Sequence, residues 1–247
     1  MLPKFVREPV WQVKEWAVRQ LVVRGFADAL HVRLREQFRA LGTSLVIDVG
    51  ANHGQSARLL RRLGYRGRII SFEPLPHAVR VLEAQARRDG NWQVVACGVG
   101  DAEATLPLHV MAEDVFSSFL PASDSGRALF QNSVAVTQVI DVPVRRLDSV
   151  LPELGVNLSA ERGVHLKVDT QGFDMRVIRG AGLSLAHLAS IQIELDMIPT
   201  YEGQVAFEYL DELKELGALG YELVGLFGFT RRDGRLAAAD ALLRRFT

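Results

Sequence analysis

The chain has 247 residues, enough for one α/β domain with an extension and too few for two full enzymes. Hydrophobic residues at 48% and charged residues at 23% exclude a disordered chain, and 29 Lys+Arg against 29 Asp+Glu argues against a dedicated nucleic-acid binder. A single cysteine, Cys97, excludes an intramolecular disulfide and a cysteine-rich zinc cluster; with no apolar run of bilayer length and no signal-peptide core, the expectation is a cytoplasmic protein.

Charge is uneven along the chain. Residues 1–42 hold eight basic groups against four acids, leaving this part +4 and the remainder −4. Trp11, Val18, Val22 and Ala29, then Leu30, Leu34, Phe38 and Leu41, recur at helical spacing and predict an N-terminal helical extension. Its apolar stripe offers a face for packing on the main domain or on a second copy as a homodimer. A basic amphipathic segment can also lie on an anionic membrane, but the interleaved acids favour packing.

The pattern then alternates. Ser44–Val49 predicts a buried strand, 54–63 a helix, Arg68–Phe72 a second strand, 76–88 a helix opened by Pro76, and Trp92–Ala96 a third strand. Short links in this rhythm imply right-handed crossovers and a parallel sheet. Residues 101–145 break the rhythm. Thr105–Val110 and Val134–Val144 have strand character and suit an inserted hairpin, and the polar stretch 117–133 between them predicts a substrate loop or lid. Val164–Asp169, a helix over 173–179, Ser190–Leu195 and a helix over 205–216 restore the rhythm. Tyr221–Phe227 and Ala239–Phe246 predict a closing antiparallel pair, because the link 228–236 is too short for a helical crossover.

Three clusters carry chemistry. The first, Asp48-Val49-Gly50-Ala51-Asn52-His53-Gly54-Gln55-Ser56, sits where strand one meets helix one, the place where ligands bind in open parallel sheets. Gly50 and Gly54 allow a tight turn and close backbone approach. A dinucleotide fingerprint needs glycines at 50, 52 and 55, and Asn52 and Gln55 stand at the last two. Asp48 would repel a pyrophosphate and suits a ligand with a cationic amino group. The second cluster is Glu73, at the end of strand two, where an acid can accept from both ribose hydroxyls; Leu75 beyond it suits an adenine face. The third is a pair of polar stripes on interior strands, His165, Lys167 and Asp169 on one and Gln192, Glu194 and Asp196 on the other. Buried charges must be paired or functional, and Lys167 can pair with Asp169 or Glu194. His165 reads as a satisfied interior histidine; His31, His77, His109 and His187 form no constellation legible in the sequence.

These stretches together resemble the FkbM family of S-adenosylmethionine-dependent methyltransferases. VIDVGANHGQSA, ISFEPLPHA, VPVRRLDSVL, LKVDTQGFDMRVIRGA, IQIELD, GYELVGLFGF and ADALLRRF occur in the family's order over about residues 43–247. The resemblance implies a class I methyltransferase fold: a Rossmann-like, seven-stranded, mostly parallel sheet with its last strand antiparallel. It implies S-adenosyl-L-methionine as cofactor, S-adenosyl-L-homocysteine as product, and O-methylation of a sugar, glycolipid or glycosylated natural product. It places Asp48, Gly50, Ala51, Asn52, Gly54 and Ser56 around the methionine part of the cofactor, Glu73 at the ribose, and Leu75, Cys97 and Gly98 near the adenine. Lys167, Asp169 and Glu194 match the family's polar core. Gln171 stands where the family often has Glu, and Asp174 replaces another common Glu.

Transfer to an alcohol is an in-line displacement helped by a positioned base. Asp169 is the first candidate base and Glu194 the second, with Lys167 orienting the carboxylates. His53 and Gln171 are candidate acceptor contacts. Asp169, Glu194 and Asp196 offer oxygen ligands suited to Mg²⁺, but Lys167 supplies the compensating charge, so transfer without a metal is expected. Transfer to nitrogen or carboxylate, a nicotinamide-dependent oxidoreductase and a non-catalytic cofactor binder are the competing readings. Arg outnumbers Lys 25 to 4, the coding bias of a GC-rich bacterial genome.

Overall fold

The computed structural model describes residues 29–246; the part of the predicted extension with Trp11, Val18 and Val22 lies outside them. Helix α1 (Ala29–Leu41) carries Leu30, Leu34 and Phe38 at four-residue spacing and buries all three. Over these residues the apolar face is occupied by packing on the domain. Strand β1 (Leu45–Val49), α2 (Gln55–Arg62), β2 (Arg68–Phe72), α3 (Pro76–Asp89) and β3 (Trp92–Val95) follow, close to the predicted bounds. Pro76 opens α3, where its missing N–H leaves no helix bond unmade, and Gly90 ends it at φ 76.

The next segment is β4 (Gly98–Val99), β5 (Ala104–Met111), α4 (Asp124–Phe130), β6 (Val136–Arg145) and α5 (Leu147–Glu153). Strands β5 and β6 pair antiparallel in a small sheet with β4. The expected polar loop 117–133 is in part a packed helix. The Ser123 side chain accepts from Gly126 N to cap α4, and Leu129 and Phe130 bury beside Met111 and Val134.

Strand β7 (Val164–Val168), α6 (Asp174–Gly180), β8 (Leu188–Asp196), α7 (Glu208–Ala218), β9 (Glu222–Arg232) and β10 (Arg235–Arg244) complete the chain. The main sheet has the order β3-β2-β1-β7-β8-β10-β9, with β10 antiparallel to both neighbours. It is the seven-stranded, mostly parallel sheet expected from the sequence. The closing hairpin is tighter than the sequence indicated. Its link is Asp233–Gly234, at φ 49 and 74, the left-handed pair that a two-residue hairpin turn requires.

Side chains of β1 alternate between two cores. Val46 faces α1, α2 and α3 with Ile69, Leu82 and Trp92; Leu45, Ile47 and Val49 face α5, α6 and α7 with Leu151, Ile178 and Leu216. Strand order reverses beside β1, which has β2 on one side and β7 on the other. A crevice opens at the carboxyl ends of these strands. Among the described residues no helix is long and apolar enough to cross a membrane.

Candidate active site

The turn after β1 is built from left-handed backbone: Gly50 at φ 74, Asn52 at 45 and Gly54 at 79. A Cβ on Gly50 would lie 1.8 Å from the Asp169 carbonyl oxygen, so the tips of β1 and β7 meet only because that atom is missing. Gly54 answers a different need. Its Cβ would strike Trp92 Cη2 at 2.7 Å and Leu82 Cδ2 at 2.9 Å, so it serves the packing of α2 on the core.

Above this turn lies a cavity of about 210 Å³. Its wall includes Gly50, Ala51, Asn52 and Ser56 from the first turn, Glu73 and Leu75 beyond β2, Cys97 and Gly98 beyond β3, and Lys167, Asp169 and Gln171 from β7 and its loop. The insertion closes another side with Asp114, Val115, Ser117, Ser118 and Phe119. Ser117, Ser118 and Phe119 fall in the stretch expected to form a substrate loop; Asp114 and Val115 precede it, where the sequence carries no periodic signal. Four expected site residues are absent from the wall: Asp48, His53, Gly54 and Glu194.

Glu73 is 4% exposed. Asn52 N donates to its Oε2 at 2.7 Å and Leu75 N to its Oε1 at 2.8 Å, so each oxygen keeps a lone pair for a further donor. Burial pushes this carboxyl up to about 7 against the pull of the two N–H groups. Cys97 is a buried thiol that burial pushes up to about 11, so it contributes a neutral surface and no thiolate.

The polar stripes form a row across the sheet. Ser71, Asp48, Lys167 and Gln192 are register partners on β2, β1, β7 and β8. Trp92 Nε1 donates to Ser71 Oγ at 2.9 Å, and Ser71 Oγ donates to Asp48 Oδ2 at 3.2 Å. Lys167 Nζ lies 3.4 Å from Asp48 Oδ1 and 3.2 Å from Asp169 Oδ2. Burial acts to lower Lys167, but Asp169, Asp48 and Asp240 hold it above its ordinary value. Asp48 therefore meets an internal cation, Lys167, and lies outside the cavity wall. His165 lies on the same face of β7, its ring tilted by 59° against Phe38 at 4.9 Å, with Nδ1 2.8 Å from Ser190 Oγ; burial lowers it to about 3, the neutral interior histidine expected.

Of the acids on the β7 and β8 stripes, Asp169 is the one that lines the cavity. Gln171, at φ 57, donates through Nε2 to Asp169 Oδ1 at 2.9 Å and to Glu194 Oε2 at 2.7 Å. Glu194 thus stands behind Gln171, held by the amide and not by the Lys167 pairing considered from the sequence. Burial, and then the charge of Asp169, raise Glu194 well above the ordinary carboxylate range. The Tyr201 hydroxyl donates to Gln171 Oε1 at 2.6 Å and fixes the amide's orientation. The sequence offered no signal for Tyr201, which lies in the irregular stretch after β8. Asp174 accepts from Thr170 N and Gly172 N, holding the loop after β7, and burial pushes it to about 7.

His53 lies outside the wall and meets His77 and Asp114 at the rim. His77 Nε2 is 2.5 Å and His53 Nε2 3.8 Å from Asp114 Oδ2. The trio draws on three separate elements, which is why no sequence spacing displays it. Asp169, Glu194 and Asp196 do not bring three ligand atoms within reach of one ion.

A family model described as the methyltransferase FkbM domain matches residues 48–223. Methyltransferase 1 of Beauveria bassiana is 28% identical over 147 residues, covering 56% of this chain and 58% of its own length. Methyltransferase sdnD of Sordaria araneosa is 27% identical over 154 residues, covering 55% of this chain and 59% of its own. The chain thus spans less than two-thirds of either relative. A solved structure, an FkbM methyltransferase from Methylobacillus flagellatus, aligns over 81% of this chain and 43% of that one at 17% identity, with a TM-score of 0.49.

Proposed function

Because this chain belongs to the FkbM methyltransferase family, we propose that it transfers the methyl group of S-adenosyl-L-methionine to a hydroxyl of a sugar, glycolipid or glycosylated natural product. The observation that carries this reading is one cavity lined by an acid at each of two strand ends: the buried Glu73 beyond β2 and the partly exposed Asp169 beyond β7. We take residues 43–247 as the transferring unit.

The residues fit that cofactor. Glu73 keeps a lone pair on each oxygen for the two ribose hydroxyls. Leu75, Cys97 and Gly98 give an apolar seat for adenine, and Gly98 leaves room there that a Cβ would take from the Phe119 ring. Gly50, Ala51, Asn52 and Ser56 bring backbone and small groups to the methionine end. When bound, the cofactor supplies an electrophilic methyl on a sulfonium.

The chain's own residues do the rest. Asp169 accepts the acceptor hydroxyl's proton as the oxygen–carbon bond forms and the carbon–sulfur bond breaks. Lys167 holds the carboxylate in place, and Gln171 orients it from the other side. The insertion residues from Asp114 to Phe119 narrow the cavity and limit water.

Calorimetric titration with S-adenosyl-L-homocysteine and NAD tests the cofactor, and labelled-methyl transfer to glycosylated acceptors tests the reaction. The expected result is binding of the homocysteine and not of NAD, with label recovered in an ether. NAD binding alone, or label in an amine or ester product, would overturn the reading.

A further inference from the structure

Three side chains from three elements converge at the cavity rim. His53 stands in the β1–α2 turn, His77 in the first turn of α3, and Asp114 begins a 3-10 turn of the insertion. Both imidazoles place Nε2 near the same oxygen, Asp114 Oδ2, at 2.5 Å for His77 and 3.8 Å for His53. The rings are 5.9 Å apart between centroids and tilted by 48°. One donor atom from each residue lies within 4.8 Å of the other two, and among the described residues this is the one trio of His, Cys, Asp or Glu so placed.

A single imidazole satisfies a structural hydrogen bond to Asp114. His53 Nε2, 3.8 Å from the same oxygen, is beyond hydrogen-bond reach, so the His77 bond does not account for its placement, whereas a shared positive centre would. Tetrahedral coordination with bonds of ~2.0–2.2 Å separates neighbouring donors by ~3.3–3.6 Å. The two measured separations bracket that value, and the side chains, 28–40% exposed, are free to move the remaining fraction of an ångström. Two imidazoles and one carboxylate suit first-row transition ions; Mg²⁺ prefers all-oxygen sets.

We propose that His53, His77 and Asp114 bind one divalent transition-metal ion of the zinc class, with at least one coordination position left open. The ion pins the 3-10 turn, whose Val115 lines the cavity, to the β1–α2 turn and to α3. It lies apart from the carboxylates weighed for Mg²⁺ in the sequence, and it needs none of Glu73, Lys167 or Asp169. Its success or failure is therefore separate from that of the methyl-transfer reading.

The test is direct. Untagged, EDTA-treated protein is titrated with Co²⁺, followed by visible absorption, and then displaced with Zn²⁺. The expected result is one ion per chain in a tetrahedral-type spectrum. His77→Ala and Asp114→Asn each weaken binding about 100-fold or more, while His187→Ala, at an exposed histidine elsewhere, leaves it unchanged. Zn²⁺ also raises the melting temperature of the parent protein and not of the two variants. His53→Ala, on another element, replaces either variant that loses its fold by circular dichroism. Absence of a Co²⁺ spectrum from the parent protein, or unchanged affinity in the variants, would overturn the proposal.

Discussion

Lys167 Nζ lies 3.4 Å from Asp48 Oδ1, and both side chains are inside the sheet, at 8% and 2% exposure. They are register partners on β7 and β1, so the parallel ladder itself sets them side by side. Replacing Lys167 with Met leaves Asp48 buried against no cation. The expected cost is ~3–5 kcal/mol, read from the midpoint of denaturant unfolding. Adding Asp48→Asn to Lys167→Met should recover part of that loss. A double variant no more stable than the single one would show that the pair is not the source of the effect.

Asp169 and Glu194 share the Gln171 amide, but Asp169 alone of the two lines the cavity. Asp169→Asn should lower kcat ~10²–10⁴-fold with a smaller change in cofactor affinity. Glu194→Gln keeps the shape of the group behind Gln171 and should cost less than about tenfold. Equal losses in the two variants would remove Asp169 from the role of base.

Glu73 carries a pH signature. Burial raises it to about 7, so it is neutral at pH 5 and ionised at pH 8. An ionised carboxylate is the better acceptor for ribose hydroxyls, so affinity for S-adenosyl-L-homocysteine should rise with pH up to about 7, by at most about tenfold per unit, and then level off. Glu73→Gln should flatten that profile. Stability runs the other way: a raised acid stabilises the fold while protonated and loses that contribution as pH rises through 7. Calorimetry from pH 5 to 9 on both proteins measures the first, and thermal melts over the same range measure the second.

Gly50 and Gly98 should fail differently. At Gly50 the added methyl meets a backbone carbonyl at 1.8 Å on a residue at φ 74, and Gly50→Ala should cost more than ~2 kcal/mol or prevent folding. At Gly98 it meets the Phe119 ring at 2.5 Å, and a ring can turn aside into the cavity. Gly98→Ala should therefore keep a near-parental melting temperature and lose about tenfold or more in cofactor affinity. Melts and calorimetry on the two variants separate the cases.

Much of the sheet could be read from the chain because its strands are short, largely apolar runs separated by turn residues. The alternation of β7 likewise placed Lys167 and Asp169 on one face. What alternation does not contain is the neighbour. Asp48 also alternates onto a buried face, yet only the β1–β7 register reveals that Lys167 is what it meets. Of the cavity wall from Asp114 to Phe119 only the polarity of 117–119 was legible: its order comes from tertiary bonds, such as Ser118 Oγ donating to the Gln171 carbonyl. His77 carries no signal in the sequence because its partners, His53 and Asp114, come from separate loops.

The row from Trp92 through Ser71 and Asp48 to Lys167 ends at Asp169, so an indole is wired to the cavity floor by hydrogen bonds and ion pairs. The molecule thereby contains its own optical probe. With Trp11 and Trp16 changed to Phe, emission from Trp92 should register each gain or loss of charge at that floor, and ligand occupancy becomes readable in an unlabelled cuvette.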